Sequence, residues 1–333
     1  MNKKVLVTGA TGFVGSAVAR LLVERGYNLK TLVRPSSPLD NLKGLNAEIA
    51  YGDLRDVNSL EYALKDCEYL FHVAADYRLW SLNPQELYEN NVAGTENIMR
   101  AAMKSGVEKI VYTSSVATLG INRDETPANE DTPVAYEDMI GDYKKSKFLA
   151  EEVVRKMAKE EGLRVTIVNP STPIGPGDIK PTPTGKLILD AAAGKMPAFV
   201  DTGLNWVHVD DVAIGHLLAL EKGKIGERYI LGNENFSMKE LLQKIASITG
   251  KSAPKIQLPH NFVLPIAYLS EWWANISKSK TEPRATVSGV KLSKKKMYFS
   301  INKANRELAY QPKDVMTALE DSINWFKENN YLS

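Results

Sequence analysis

Lys4-Val5-Leu6-Val7-Thr8-Gly9-Ala10-Thr11-Gly12-Phe13-Val14-Gly15 runs from an apolar segment into a glycine-rich turn. Beyond it Val14, Val18, Leu21 and Leu22 recur at helical spacing and Gly26 stops the pattern. The turn therefore joins a strand to an amphipathic helix. Its glycines are spaced G-x-x-G-x-x-G. One permits a sharp turn, one lets the backbone approach a pyrophosphate, and one lets helix and strand pack closely. The first amides of the helix then face the phosphates. The chain is thus expected to begin with a cradle for a dinucleotide.

Working outward, further short apolar runs centre on Leu29–Val33, Glu48–Tyr51, Tyr69–Val73, Ile110–Tyr112 and Val165–Val168. Helical patterns near Val57–Lys65, Pro84–Ser105 and Tyr143–Glu161 alternate with them. Such alternation predicts an α/β fold, a Rossmann-type doubly wound parallel sheet covered on both faces. The second half is less regular. Five prolines between Pro170 and Pro183 read as a loop. Trp206–Val212 reads as a strand turning into a helix, Arg228–Gly232 as another strand, and Val315–Asn329 as a closing helix. The expected organisation is a dinucleotide-binding core over 1–172, rejoined by 206–235. A smaller, mostly C-terminal substrate lobe takes 173–205 and 236–333, over the carboxyl edge where open parallel sheets bind ligands.

With 333 residues, 44% hydrophobic and 25% charged, there is enough chain for one large domain or two smaller ones. The net charge of +2 gives no nucleic-acid footprint. A lone cysteine, Cys67, excludes an internal disulfide framework and fits a reducing compartment. The start passes directly into a strand, so no signal peptide is expected and the chain reads as cytoplasmic. Phe262–Leu269, continuing to Trp272 and Trp273, is shorter than the ~20 apolar residues of a spanning helix. It reads as a packed or substrate-covering helix, with membrane-surface contact as the other reading. His72, His208, His216 and His260 show no ligand spacing, so no metal is expected, and His72 reads as a satisfied core histidine. Lys291, Lys294, Lys295 and Lys296 read as a solvated face, with phosphate or anionic lipid as the alternative.

Among fourteen tyrosines only Tyr143 is followed four residues later by a lysine, Lys147. That spacing sets both on one helical face, one turn apart, where an ammonium eases ionisation of a phenol. With a dinucleotide cradle, the pair implies hydride transfer coupled to proton transfer. The second strand ends at Arg34, followed by Pro35-Ser36-Ser37. An acidic residue there would bind a ribose 2′-hydroxyl, whereas a cation with hydroxyls suits a 2′-phosphate. NADP(H) is therefore favoured over NAD(H). The alternatives for Arg34 are a solvated arginine or one stacked on adenine. Asp53, after Tyr51-Gly52, is placed to accept from the adenine amine or to cap the next helix.

With these motifs in hand, the sequence resembles the extended short-chain dehydrogenase/reductase family of NAD-dependent epimerase/dehydratase type along nearly its whole length. The matching segments are Thr8–Gly15, Gly52-Asp53-Leu54, His72–Ala75, Asn91-Val92-Ala93-Gly94-Thr95, Tyr112–Ser115, the Tyr143/Lys147 pair and Asn169-Pro170. Val33-Arg34-Pro35, Ala74–Trp80 and Asn169–Pro176 look closest to hopanoid-associated sugar epimerases, which resemble dihydroflavonol 4-reductases.

The resemblance implies roles. Tyr143 exchanges a proton with the substrate oxygen, Ser115 hydrogen-bonds that oxygen, and Lys147 holds the nicotinamide ribose and lowers the Tyr143 pKa. Gly9, Thr11, Gly12, Phe13, Val14, Gly15, Arg34, Asp53, Leu54, Ala74, Ala75, Asn91, Thr113, Pro170 and Thr172 join Tyr143 and Lys147 around the cofactor. Asn91 has the plainer reading of tying a helix to a neighbouring strand, beside a part in proton relay. Asp76, Tyr77, Ser115 and Asn205 are the candidates facing a small-molecule substrate. Arg78, with Tyr268, Trp272 and Trp273, would suit a ligand with polar and apolar parts. Homodimers are frequent in that family.

Three functions compete. A reductase delivers hydride once from an exchangeable NADPH to a ketone or aldehyde, and Arg34 favours it. An epimerase keeps NAD⁺ and returns hydride to the other face. Nucleotide-sugar members often carry an arginine shortly before the segment corresponding to Val207-His208-Val209, where this chain has Asn205. That departure weakens a nucleotide-sugar substrate. The third reading is a non-catalytic NADP sensor or scaffold, against which the complete Ser115/Tyr143/Lys147 set argues.

Overall fold

The apolar runs of the first half become strands β1 (Lys4–Thr8), β2 (Asn28–Val33), β3 (Ala47–Tyr51), β4 (Tyr69–His72), β5 (Lys109–Thr113) and β6 (Val165–Pro170). A computed structural model describes residues 3–277, 283 and 285–332. Among them, β10 (Arg228–Leu231) completes a seven-stranded sheet of order β10-β6-β5-β4-β1-β2-β3, every pair parallel. The order reverses at β1, so a crevice opens between the carboxyl ends of β1 and β4.

Val5, Leu6 and Val7 on β1 are wholly buried, as expected of strands covered on both faces. One face is closed by α1 (Phe13–Glu24), α7 (Val209–Lys222) and α11 (Asn302–Leu308), through Val18, Leu22, Val212 and Leu308. The other is closed by α2 (Val57–Leu64), α4 (Gly94–Lys104) and α5 (Gly141–Glu160), through Leu64, Ile98, Val154 and Met157. The single helix expected over 84–105 is α3 (Gln85–Tyr88), a π-helical turn over Glu89–Ala93 and α4 in succession. The π turn contains Asn91.

A second sheet joins β7 (Thr172–Ile174), β9 (Gly203–His208), β11 (Glu234–Ser237) and β13 (Lys296–Met297). Against it pack α6 (Pro183–Ala192), α8 (Met238–Thr249) and α12 (Val315–Glu328), around Trp206, Leu241, Leu319 and Phe326. β8 (Ala198–Val200) pairs with β12 (Ile256–Leu258). β12 leads into α9 (His260–Ile276), and α10 (Val287–Ser293) follows. The stretch read as a proline-rich loop holds β7 and the start of α6. Pro173 sits on a strand that, among the described residues, pairs with β9 alone, and Pro183 starts α6 after the Thr182 cap, both positions that tolerate a missing N–H. The strand read at 206–212 is β9, which belongs to the second sheet, while α7 and β10 return to the first.

Phe262–Trp273 departs from the packed helix expected of it. Along α9 only Ala267 and Ala274 are buried, while Phe262 is 73% and Trp273 66% exposed. The reason is steric: α9 rests on α10 along its small-residue side, around Ala267, Val287 and Val290.

Candidate active site

At the crevice, Gly9 has φ +75°, and a Cβ there would lie 2.7 Å from the Ala74 amide nitrogen. A Cβ on Gly15 would lie 2.1 Å from the Gly9 carbonyl oxygen, so helix and turn touch through bare backbone. Gly12 caps α1 with no side-chain acceptor, and no acidic residue stands in the first turn. The first amides of α1 are thus left for an external anion. Phe13 and Val14 are half-buried in that turn, and the Thr11 carbonyl accepts from Asn41 Nδ2 at 3.1 Å. Ala74 N–H donates to Thr8 Oγ1, which pairs with His72 Nδ1 at 2.8 Å, and His72 Nε2 meets Thr95 Oγ1 at 3.1 Å. Burial, then the nearby Lys147 charge, pushes the His72 pKa down to about 3. It is a neutral, doubly satisfied core histidine.

Arg34 stands exposed just past β2; its carbonyl accepts from Ser37 N–H, and its guanidinium makes no hydrogen bond or ion pair among the described residues. Asp53 accepts from the Arg55 backbone N–H and from Arg55 Nε, both at 2.9 Å. Arg55 holds its carboxyl below the usual range, with Arg34 adding to the effect. The alternative that Asp53 caps the following helix gives way, because Asp56 caps α2. The Leu54 carbonyl accepts from Asn97 Nδ2, and its side chain packs against the core between α2 and α4. A turn whose space a Cβ would fill, uncapped helix amides and an unpaired guanidinium beyond β2 fit a dinucleotide.

The residues expected to transfer the proton lie at the ends of β5 and α5. Ser115 begins a short 3₁₀ turn over Val116–Thr118, and its Oγ accepts from Ala117 N–H at 3.1 Å. Its hydroxyl is thereby aimed, close enough to the Tyr143 phenol to pull that group's pKa down. Tyr143 is half-buried near the start of α5, and Lys147 is fully buried one turn on. The Lys147 ammonium donates to the Thr113 carbonyl at 2.9 Å and to Tyr112 Oη at 3.4 Å. Burial lowers its pKa to about 8, with Glu151 pulling the other way.

The depressed phenol expected beside Lys147 is not what this geometry gives. Burial raises the Tyr143 pKa above its ordinary value, and the lowering influence is the Ser115 hydroxyl. The ammonium is instead directed to Thr113 and Tyr112. The Thr113 hydroxyl pairs with His216 Nε2 at 2.8 Å, and His216 Nδ1 donates to the Val212 carbonyl at 2.7 Å.

Beneath these groups lies a network absent from the sequence reading. Glu151, one turn beyond Lys147 and 3% exposed at its side chain, accepts from Ser114 Oγ, from Thr118 Oγ1 at 2.8 Å and from Asn169 Nδ2 at 2.9 Å. It also pairs with Arg228 of β10 at 3.0 Å. Asn169 Nδ2 in turn donates to the Ser115 carbonyl at 3.0 Å. Glu151 thus ties α5, the β5 turn, β6 and β10 together behind Ser115. A glutamate eight residues from Tyr143, on the same helical face, was the available signal.

Asn91 accepts from Asp76 N–H at 2.7 Å and donates to the Asp76 carbonyl and to Ser146 Oγ, joining the β4 loop to α5. Burial would raise the Asp76 carboxyl, but hydrogen bonds from Arg78 and Asn90 hold it low. Tyr77 beside it is 49% exposed. Pro170 ends β6 in a buried position, and Thr172 enters β7 opposite Trp206. Asn205, expected to face substrate, lies buried. Its amide donates to Asn233 O, Asn235 Oδ1 and Phe299 O, and its Oδ1 accepts from Asn233 N–H. The structure brings Ser115 close to Tyr143, with Lys147 one turn on, and leaves Asn205 buried on β9.

Residues 5–232 match the family described as the NAD dependent epimerase/dehydratase family. A protein from Synechocystis sp. that carries a dihydroflavonol 4-reductase name is 44% identical, over 98% of this chain and 95% of that one. Sterol demethylase protein B of Methylococcus capsulatus is 36% identical, over 98% of this chain and 99% of its own. The crystal structure of gox2253 covers the whole of both chains at 53% identity, with a TM-score of 0.89. The chain belongs to the NAD-dependent epimerase/dehydratase family, the extended short-chain dehydrogenase/reductases.

Proposed function

We propose that this member of the family is an NADP(H)-dependent reductase of a ketone or aldehyde. One observation carries the reading: the Ser115 hydroxyl close to the Tyr143 phenol, with Lys147 one helical turn on. Bound NADPH would supply the hydride to the carbonyl carbon. Tyr143 gives its proton to the carbonyl oxygen as that oxygen gains charge, and the phenol's raised pKa keeps the proton available at neutral pH. Ser115 donates a hydrogen bond to the same oxygen. Such a donor is typically worth about 10²–10³ in rate. Lys147 steadies the phenolate left behind by its charge. Gly9, Gly12 and Gly15 hold the pyrophosphate, and Arg34 holds the 2′-phosphate. The second sheet, with α6, α8, α9, α10 and α12, supplies the substrate lobe, with Asp76 and Tyr77 facing the ligand; α11, expected in that lobe, packs instead on the first sheet.

The second reading, an epimerase retaining NAD⁺, draws on the family description. It lacks support at position 205, where a buried asparagine stands in place of a diphosphate-binding arginine. The test is oxidation of NADPH and NADH against a panel of aldehydes and ketones, with wild type and Arg34→Asp. Turnover faster with NADPH, and a preference that Arg34→Asp reverses, is expected. Equal use of both cofactors by both proteins would overturn the role of Arg34.

A further inference from the structure

α9 presents Phe262, Ile266, Leu269, Trp273 and Ile276, spaced four and three residues apart, as one unbroken apolar stripe. Each is more than half exposed, and Tyr268 and Trp272 beside the stripe are 54% and 59% exposed. A helix facing water carries charges on its free side. α9 has a single charged residue, Glu271, and its carboxylate is turned inward to accept from Val287 N–H at 2.7 Å. Tryptophan and tyrosine are the side chains that favour the boundary between acyl chains and headgroups.

Charge on the neighbouring helix points the same way. Lys291, Lys294 and Lys295, in and just after α10, are exposed, and no carboxylate among the described residues pairs with them. α10 is bound to the start of α9, since His260 Nε2 donates to the Ser293 carbonyl at 3.1 Å and Lys294 Nζ to Asn261 Oδ1 at 3.4 Å. The stripe thus has a cationic flank. A helix pair between two copies of this chain is disfavoured by what borders the stripe. Val263, Pro265, Ser270 and Trp272 carry no charge with which to set register or partner. At 17 residues α9 is about 25 Å long, below the ~30 Å of a bilayer core, and no described helix is long and apolar enough to cross a membrane.

We propose that α9 is an interfacial helix that seats this protein on an anionic lipid bilayer. The stripe enters the acyl boundary, and Lys291, Lys294 and Lys295 meet the headgroup phosphates. The seat abuts the site. Ser288 of α10 packs on Gly141, where a Cβ would lie 3.0 Å from its Oγ, two residues before Tyr143. The docking surface stands whichever reaction the site performs.

The test is co-sedimentation of the full chain with sucrose-loaded vesicles of phosphatidylcholine alone or with added phosphatidylglycerol. Wild type is expected to pellet with the phosphatidylglycerol vesicles, less with phosphatidylcholine alone, and less at high salt. Leu269→Ser with Trp273→Ser is expected to weaken binding more than about tenfold, each side chain losing its apolar transfer. Replacing the three lysines by glutamine leaves the stripe intact and is expected to cost about a hundredfold, near fivefold per lysine. Circular dichroism confirms that each variant is folded. Failure of wild type to bind phosphatidylglycerol vesicles would overturn the proposal, as would binding that both sets of substitutions leave unchanged. A lipid-free dimer that Leu269→Ser converts to monomer would assign the stripe to a second copy and overturn it equally.

Discussion

α5 and α9 are helices of 20 and 17 residues that treat charge and water in opposite ways. α5 buries Lys144, Lys147 and Glu151, whereas α9 exposes Phe262, Leu269 and Trp273. Burying an ionised side chain is costly unless hydrogen bonds or a partner hold it, and on α5 each buried charge has one. Lys147 has Thr113 and Tyr112, Glu151 has Arg228 and three donors, and the Lys144 ammonium meets Met297 Sδ at 3.8 Å. The difference teaches where each helix finds its partners. Those of α5 lie within the fold and fix the position of Tyr143. Nothing among the described residues covers the stripe on α9.

The sharpest break of this contrast is Tyr143→Phe. Removing the hydroxyl while keeping the ring is expected to lower kcat about a thousandfold, with the NADPH dissociation constant changed less than about threefold. Steady-state rates and fluorescence titration read the two quantities. Unchanged turnover would remove Tyr143 from the chemistry, and lost binding would make it structural.

Next is Glu151→Ala, which leaves Arg228 half of a broken buried pair. A loss of about 3–5 kcal/mol in urea unfolding is expected. A loss under about 1 kcal/mol would mean that the network behind Ser115 is not what holds it.

Smaller again is the pH dependence set by Lys147. Its pKa is lowered to about 8, so it is charged below that pH and neutral above it. If its charge steadies the Tyr143 phenolate, kcat falls with an apparent pKa near 8, approaching roughly tenfold per unit beyond. A flat profile to pH 10 would separate Lys147 from proton transfer. The smallest effect is expected on α9, where Leu269→Ser should change stability by no more than about 0.5 kcal/mol, because the side chain is 66% exposed. A loss of several kcal/mol would show the stripe to be covered.

The sequence made the first half of the fold legible because its signals are local. The turn at Gly9–Gly15 needs only neighbouring residues, and a buried parallel strand announces itself by unbroken apolar runs. Tyr143 and Lys147 were found by spacing on one helix. Groups that depend on chain return were not visible. Arg228 reaches Glu151 from 77 residues away, and β9 joins the second sheet through partners at Thr172 and Glu234. The direction of the Tyr143 shift required knowing where the Lys147 ammonium points. Asn205 was placed near substrate by its position in the family pattern, but the turn at Asn233 folds onto it. The apolar run from Phe262 to Trp273 did not tell whether protein or something else covers it.

The most direct test of the reductase reading is to denature protein purified without added nucleotide and identify what it releases by chromatography and mass spectrometry. Little nucleotide, or a small fraction of NADP(H), is expected of an enzyme whose cofactor exchanges at each turnover. Near-stoichiometric NAD⁺ would contradict the reductase, end the use made of Arg34 and put the epimerase in its place.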